Sequence, residues 1–248
     1  MARGKELALT FGKAAEDYER GRPGYPAEAL DWIFSRLRTG SGTIDAVDIG
    51  AGTGKFTRAL AARNIRLTAV EPDDVMRQTL SANLPAVRAF AGTAESIPAP
   101  ADSFDLATLA QAWHWVDSDA ASVEVARVLC PGGLLALVWN IRDESVDWVA
   151  RLGEVIGSSA AEEFDNVNPP IGEPLHREAY AEFRWNASIS REEIFAMVTS
   201  RSYIIAVSDD DRRDVLDRVG KLLDEHPQVA GLAEFSLPYI TRVTIARR

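Results

Sequence analysis

Short apolar runs alternate with helix-like stretches over the first 140 residues of the chain. Between the runs, apolar residues recur every three or four positions, as on the buried face of a helix. Strands that alternate with helices predict a parallel sheet covered on both sides. The runs are of strand length and lie at 44–49, 67–70, 87–91, 106–110 and 134–140.

After residue 140 the pattern changes. Helical spacing recurs at 146–156, 190–200 and 215–223, and strand-like runs lie at 181–189 and 239–246. Ser190 and Glu193 form a capping-box pattern at the start of the second helix. We expect one domain in three parts: a helical N-terminal arm (1–42), a core (43–140), and an insertion with the C-terminal strands (141–248).

The first strand runs directly into three glycines, Gly50, Gly52 and Gly54. Glycine permits positive φ and leaves no side chain between backbone and ligand, and the following helix offers free N–H groups and a positive dipole end. The third glycine comes one residue earlier than in the dinucleotide fingerprint. Asp48 closes the strand, where a carboxylate disfavours a pyrophosphate and suits an ammonium group. A tight turn without a ligand is the alternative.

Further candidates follow the second and fourth strands. The Glu71 carboxylate could accept two hydrogen bonds from a ribose diol, although an ordinary surface acid is the alternative. Trp113 and His114 follow the fourth strand at the same edge of the predicted sheet, where ligands bind in such folds. We expect both to belong to a site, and Trp115 to pack on the next helix.

Taken together, these motifs resemble those of the class I S-adenosylmethionine-dependent methyltransferases. The resemblance implies an α/β fold: a doubly wound, seven-stranded, mostly parallel Rossmann-like sheet with an antiparallel last strand and an α-helical insertion or cap. The N-terminal block and the Trp113–Trp115 triplet are similar to trans-aconitate methyltransferase and related small-molecule enzymes. The motifs are Asp48-x-Gly-x-Gly-x-Gly, Val70-Glu71-Pro72, Gly92-Thr93-Ala94-Glu95, Ser103-Phe104-Asp105 and Leu129-Cys130-Pro131-Gly132-Gly133-Leu134, and the N-terminal block is Tyr18…Arg22-Pro23…Tyr25-Pro26.

The resemblance also implies S-adenosylmethionine as the cofactor and S-adenosylhomocysteine as its product. Many relatives carry an aspartate where this chain has Thr93, so the adenine contact would fall to the Ala94 backbone and Glu95. The implied catalytic residues are His114 and Trp113. The implied cofactor-binding residues are Tyr18, Arg22, Asp48, Gly50, Ala51, Gly52, Thr53, Glu71, Pro72, Met76, Thr93, Ala94, Glu95, Gln111 and Ala112, and the substrate candidates are Tyr25, Trp139, Arg142, Arg201 and Tyr203.

Methyl transfer from a sulfonium is an in-line displacement that depends mainly on alignment. A base is needed only if the acceptor must lose a proton; His114 is the candidate base, and it would merely position an ionised carboxylate. Arg142 and Arg201 would suit an acidic acceptor, although surface arginines are the alternative. We expect methylation of a carboxylate or hydroxyl oxygen. Carbon methylation of a quinone- or lipid-like acceptor, a non-catalytic S-adenosylmethionine-binding protein and a nicotinamide-dependent oxidoreductase remain alternatives.

Composition narrows the partners of the 248-residue chain. A formal charge of −10 disfavours nucleic acid, so a small-molecule acceptor is expected, while the choice between monomer and homodimer stays open. The single cysteine, Cys130, excludes an internal disulfide and indicates a reducing, cytoplasmic location. The longest apolar run, 134–139, is too short for a membrane span, and acidic residues interrupt any N-terminal secretory signal. The three histidines lack metal-ligand spacing, so we expect no metal.

The segment Asn168-Pro169-Pro170-Ile171 resembles the motif of DNA amino-methyltransferases. It follows the fifth strand rather than the fourth, and it lacks the aromatic fourth residue of that motif. Together with the acidic net charge, this disfavours a DNA substrate.

Overall fold

A seven-stranded sheet forms the centre of the protein. The computed structural model describes residues 19–37, 42–158, 160–201, 204 and 207–248. The strand order is β3-β2-β1-β4-β5-β7-β6. The strands are β1 (Ile44–Ile49), β2 (Ile65–Val70), β3 (Arg88–Phe90), β4 (Phe104–Ala110), β5 (Leu129–Arg142), β6 (His176–Ser190) and β7 (Glu234–Arg247).

The pairing confirms the predicted α/β architecture. Strands β1 to β5 pair in parallel, and β7 pairs antiparallel with both β5 and β6. Because parallel strands carry their carboxyl ends to one edge, the loops after β1, β2 and β4 meet there. The helices are α1 (Ala27–Phe34), α2 (Lys55–Ala61), α3 (Asp74–Asn83), α4 (Ser118–Val128), α5 (Asp147–Ile156), α6 (Ala160–Glu163), α7 (Arg191–Thr199) and α8 (Asp209–Glu225).

Strand β5 shows how the sheet separates two apolar layers. Its residues 134, 136 and 138 pack with α1 and α2, while residues 135, 137 and 139 pack with α4. Side chains alternate between the faces of a strand, so a strand covered on both sides reads as one unbroken apolar run. Because β5 is covered on both faces, residues 134–139 form the longest unbroken apolar run of the sequence.

A third apolar cluster lies outside these two layers and forms a cap. It is built from α5, α7 and α8 with the ends of β6 and β7 that lie farthest from Arg247. Ser190 caps α7 as predicted: its hydroxyl accepts from the Glu193 N–H at 3.3 Å, and the Glu193 carboxylate accepts from the Ser190 N–H at 2.7 Å.

Several strand boundaries differ from the predicted ones. Strands β5, β6 and β7 are longer than the patterns at 134–140, 181–189 and 239–246. Strand β6 lies at the edge of the sheet, and most of its side chains are exposed or half-buried, so hydrophobicity does not mark its ends. Within the described residues, none of the helices combines the length and apolar character that crossing a bilayer requires.

Candidate active site

The glycine loop lies between β1 and α2 in a conformation that favours glycine. Gly50, Gly52 and Gly54 have φ values of 66°, 58° and 92°. The N–H groups of Gly50 and Ala51 donate to the Val70 carbonyl at 2.8 and 3.2 Å, which ties the loop to the end of β2. A side chain at residue 50 would place its Cβ 2.8 Å from Cβ of Ala112. The loop is thus a bare backbone surface pressed between β2 and β4.

Glu71 lies directly beside this loop. Its Oε2 accepts from the Gly52 N–H at 2.8 Å and its Oε1 from the Asp73 N–H at 2.9 Å. Burial raises the pKa of this carboxyl, which is 6% exposed. Each carboxylate oxygen has a second lone pair, so both can still accept from a ligand hydroxyl. Met76 lies across the loop, with its sulfur 3.8 Å from where a Cβ of Gly52 would be.

Asp48 is buried beneath the loop. Its Oδ2 accepts from the Thr57 hydroxyl at 2.6 Å and its Oδ1 from the Thr108 hydroxyl at 2.8 Å. Burial raises its pKa to about 6, against the lowering effect of the two hydroxyl bonds. The carboxylate therefore joins β1 to α2 and β4, a structural role that the loop pattern did not reveal. A direct contact of Asp48 with an ammonium group stays a prediction.

The loop after β3 forms the wall predicted to hold adenine. Thr93 and Ser96 exchange backbone hydrogen bonds of 3.2 and 3.1 Å, and Ala94 is buried within this turn. The Glu95 carboxylate accepts from the Asp117 N–H at 3.1 Å, just before α4. An adenine contact of Glu95 stays a prediction, as does one of the Ala94 backbone.

Gln111 leaves β4 with a positive φ of 57°, uncommon for a residue other than glycine. Its N–H donates to the Val138 carbonyl at 2.8 Å, and its side-chain amide donates to the Asn140 carbonyl at 2.9 Å. Such conformations concentrate at functional sites. The strained turn directs the chain into the short 3₁₀ helix Trp113–Trp115.

Within this turn, Trp113 and His114 have different environments. The Trp113 ring is 1% exposed and its indole N–H donates to the Pro170 carbonyl at 2.8 Å. These are the contacts of a packing residue, and a catalytic role for Trp113 stays a prediction. The predicted packing of Trp115 on the following helix also stays a prediction; its ring centroid is 4.7 Å from that of His114.

His114 is held as a neutral imidazole. Burial and, to a smaller extent, the nearby charge of Arg22 lower its pKa to about 3. Its Nδ1 is buried and has no hydrogen-bond partner in the part of the chain that the structure describes. A ring with so low a pKa is a weak base at neutral pH, a state that suits positioning of an acceptor better than proton removal; a role for His114 as general base stays a prediction.

A cavity of about 40 Å³ lies beyond Gln111, between the core and the cap. Four cations line it: Lys55 and the three residues that we call the cavity arginines, Arg22, Arg142 and Arg201. Burial raises the pKa of the Tyr239 hydroxyl, and the charges of all three cavity arginines oppose the rise, so they lie close to this hydroxyl. The lining also includes Pro23, Tyr25, Asn140, Ile141, Ala161, Glu162 and Met197.

Two of the cavity arginines share one carboxylate. Arg142 and Arg201 are 5% and 3% exposed, and the Glu162 carboxylate lies 2.9 Å from the former and 3.0 Å from the latter. Lys55 pairs instead with Glu19 at 3.4 Å. Of the predicted substrate residues, Tyr25, Arg142 and Arg201 line the cavity. Trp139 does not: it is fully buried against Phe164, with ring centroids 5.9 Å apart. Tyr203, like Tyr18 of the cofactor set, lies outside the described residues.

The chain just before α1 connects the glycine loop to the cap. The Glu19 carboxylate accepts from the Thr53 hydroxyl at 2.8 Å and pairs with Arg58 at 3.0 Å. A Cβ at Gly21 would overlap the Met197 backbone in α7. The Gly24 carbonyl accepts from the Asn140 side chain at 2.8 Å. The sequence offered no signal for Glu19, Asn140 or Glu162, because their partners lie far along the chain.

Comparison with known proteins finds relatives that are similar to this chain in sequence and in fold. The methyltransferase domain family matches residues 47–137. An uncharacterized methyltransferase of Mycobacterium tuberculosis is 43% identical over 98% of this chain and 98% of its own length. The chain belongs to the methyltransferase family. More specifically, this methyltransferase is a class I enzyme that uses S-adenosylmethionine, as the resemblance implied.

Further methyltransferases are also similar to this chain. An uncharacterized methyltransferase-like protein of Schizosaccharomyces pombe is 32% identical, covering 94% of this chain and 93% of its own. The malonyl-[acyl-carrier protein] O-methyltransferase of Salmonella typhimurium is 34% identical over 52% of this chain and 51% of its own. A solved structure, described as a candidate type II methyltransferase from Anaeromyxobacter dehalogenans, has a TM-score of 0.67 at 24% identity, covers 91% and 97% of the two chains, and shows the same fold.

The geometry fits S-adenosylmethionine. The bare loop at Gly50 and Gly52 admits a ligand against the backbone, and Glu71 presents two oxygens beside it. The resemblance to trans-aconitate methyltransferase stays a prediction. Among the described residues, no three His, Cys, Asp or Glu side chains lie close enough together to hold a metal ion.

Proposed function

We propose that this methyltransferase transfers the methyl group to a carboxylate oxygen of a small organic acid. The observation that carries the proposal is the cluster of cavity arginines beyond the glycine loop, two of which are almost fully buried. Guanidinium groups bind carboxylates in a two-pronged geometry, and the Glu162 carboxylate already lies 2.9 Å from Arg142 and 3.0 Å from Arg201. A cationic cavity of this kind favours an acidic acceptor over a quinone- or lipid-like one.

The residues of the chain would divide the work as follows. S-adenosylmethionine supplies, when bound, a methyl group activated by the positive sulfur. Glu71 and the backbone at Gly50 and Gly52 would hold the donor, and Arg142 and Arg201 would orient the acceptor carboxylate toward it. Holding two reactants in line can lower the activation free energy by up to about 7–11 kcal/mol. A carboxylate is already ionised at neutral pH, so no base is required.

The state of His114 supports this division. With a pKa of about 3, the imidazole remains neutral across the physiological range. It can donate or accept one hydrogen bond in the site, but it takes up a proton poorly. An alcohol or phenol acceptor would need a stronger base. The name of the O-methyltransferase from Salmonella typhimurium, a relative over half of the chain, also supports oxygen as the acceptor atom.

The test is methyl transfer to a panel of small mono-, di- and tricarboxylic acids, followed as formation of S-adenosylhomocysteine. The matching amides and alcohols are the controls. A methyl ester is cleaved by mild base and releases methanol, whereas an ether or a C-methyl product does not. Base-labile product from the acids alone is the expected result. Turnover of the alcohols, or a base-stable product, would refute the carboxylate assignment.

A further inference from the structure

The cavity is too small for the acceptor that its charges would attract. At about 40 Å³ it holds a few water molecules, whereas ligand pockets usually measure about 300–1,000 Å³. Two of the residues that line it, Ala161 and Glu162, belong to the short helix α6. The segment 160–164 therefore fills space beside the cavity arginines.

Glu162 makes the contact expected of an acceptor carboxylate. It pairs with Arg142 at 2.9 Å and with Arg201 at 3.0 Å, and both guanidinium groups are buried. Arg142 is the last residue of β5 and Arg201 follows α7, so the two cations come from the core and from the cap. One carboxylate of the chain itself thus joins the two sides of the cavity.

Phe164 makes a second contact from the same segment. Its ring lies near those of His114 and Trp139, with centroids 6.1 and 5.9 Å away. Nδ1 of His114 and Nε1 of Trp139 are both buried, and neither has a hydrogen-bond partner within the described ranges. Buried polar atoms are nearly always hydrogen-bonded, so two such atoms around one side chain indicate a site that a polar ligand would complete.

We propose that Glu162 is a specificity-determining residue that occupies the acceptor's carboxylate position until an acceptor displaces it. This inference rests on the proposed carboxylate acceptor. A ligand that supplies its own anion can replace Glu162 at least cost, because displacement by a neutral molecule would remove the carboxylate that lies within 3.0 Å of two buried guanidinium groups, and Glu144 lies farther away, at 3.6 Å from Arg142. Glu162 thereby rejects uncharged molecules and weakens the binding of all acids by the free energy of its own ion pairs.

The test compares Glu162→Gln with Glu163→Gln, which makes the same charge change at the neighbouring, exposed position of α6. Succinate binding is measured by calorimetry with S-adenosylhomocysteine present, and succinamide is the uncharged control. We expect Glu162→Gln to bind succinate at least tenfold more tightly than wild type, and Glu163→Gln to stay within twofold. Succinamide binding should not strengthen in either variant. Unchanged or weaker succinate binding by Glu162→Gln would show that Glu162 only holds the arginines in place.

A second variant covers the case in which Glu162→Gln does not fold. Glu162→Asp keeps the charge on a shorter side chain, and it should bind succinate more tightly than wild type by a smaller factor; equal or weaker binding would overturn the inference. Turnover separates the two proposals. Methylation of acids with no gain in affinity would refute the role of Glu162 alone. A gain in affinity without turnover of any acid would show that acids displace Glu162 and would refute both the proposed function and the assignment of this position to the acceptor.

Discussion

Replacing Asp48 by asparagine should change how the stability of the protein depends on pH. Burial raises the pKa of this carboxyl from 3.8 to about 6. The folded state therefore keeps a proton that the unfolded chain has already lost between those two pH values. Stability from this group is fully present below pH 3.8 and is lost as the pH rises through about 6. An amide cannot lose the proton, and it can still accept from one threonine hydroxyl and donate to the other.

The magnitude follows from the shift. About two pKa units correspond to about 3 kcal/mol across the whole titration, and about 1.4 kcal/mol of this falls between pH 5 and pH 7.5. The free energy of unfolding of Asp48→Asn, minus that of wild type, should rise by the latter amount over this range. Urea unfolding at half-unit pH steps measures it. Groups common to both proteins, such as His114, cancel in the difference.

Asp45→Asn is the matched control on the same strand. A hydrogen bond from Arg66 lowers the pKa of Asp45, so this carboxyl loses its contribution only as the pH falls below about 3.8, outside the range measured. Its difference from wild type should be constant between pH 5 and pH 7.5. A constant difference for Asp48→Asn as well would refute the argument, because it would mean that Asp48 remains ionised throughout.

Three further predictions concern the ligands. Glu71→Ala should weaken S-adenosylhomocysteine binding by about ten- to a hundredfold, because the ribose hydrogen bonds are lost. Asp74→Ala, at the exposed start of α3, should leave the affinity unchanged. Equal affinities of the two variants in calorimetry would show that Glu71 does not hold the cofactor. The imidazole of His114 stays neutral above about pH 3, so the pH profile of kcat/KM for the wild type should show no inflection near 6.5 that comes from this residue. An inflection near 6.5 that is lost in His114→Gln would show that His114 acts as the general base. Gly21→Ala should raise the Kd of S-adenosylhomocysteine at least tenfold because its Cβ overlaps the α7 backbone, whereas Gly24→Ala, with nothing within 4 Å, should leave it unchanged. If both variants bind alike, the contact with α7 does not support the loop.

The sequence predicted the glycine loop and the strands around it because their signals are local. The apolar runs marked β1, β2, β4 and β5, and the glycines after β1 adopt the positive φ values that their spacing suggested. Glu71 lies beside the loop because adjacent parallel strands end at one edge. These features depend on residues close together in the chain or in the sheet.

The cavity lined by the cavity arginines was harder to predict, because its residues come together only through contacts between distant parts of the chain. Glu162 meets Arg201 across 39 positions, and Glu19 meets Thr53 across 34. No periodicity marks such pairs. Burial also changes what a residue type can do: desolvation lowers the pKa of the half-buried His114, and the buried Asp48 carboxylate accepts hydrogen bonds from two threonine hydroxyls. Those outcomes depend on desolvation, which a sequence pattern does not display.

The segment 19–25 touches the glycine loop through Glu19 and the arginine-lined cavity through Tyr25, while Gly21 packs against α7 of the cap. Two ligands that press on one stretch of chain are thermodynamically linked. Whatever factor the donor contributes to acceptor affinity, the acceptor must return to the donor. In the proposed reaction the acceptor carboxylate becomes an uncharged ester, so the product would interact more weakly than the acceptor with the cavity arginines. With the proposed acceptor, the segment would couple binding of the two substrates, and loss of the carboxylate charge would favour release of the ester.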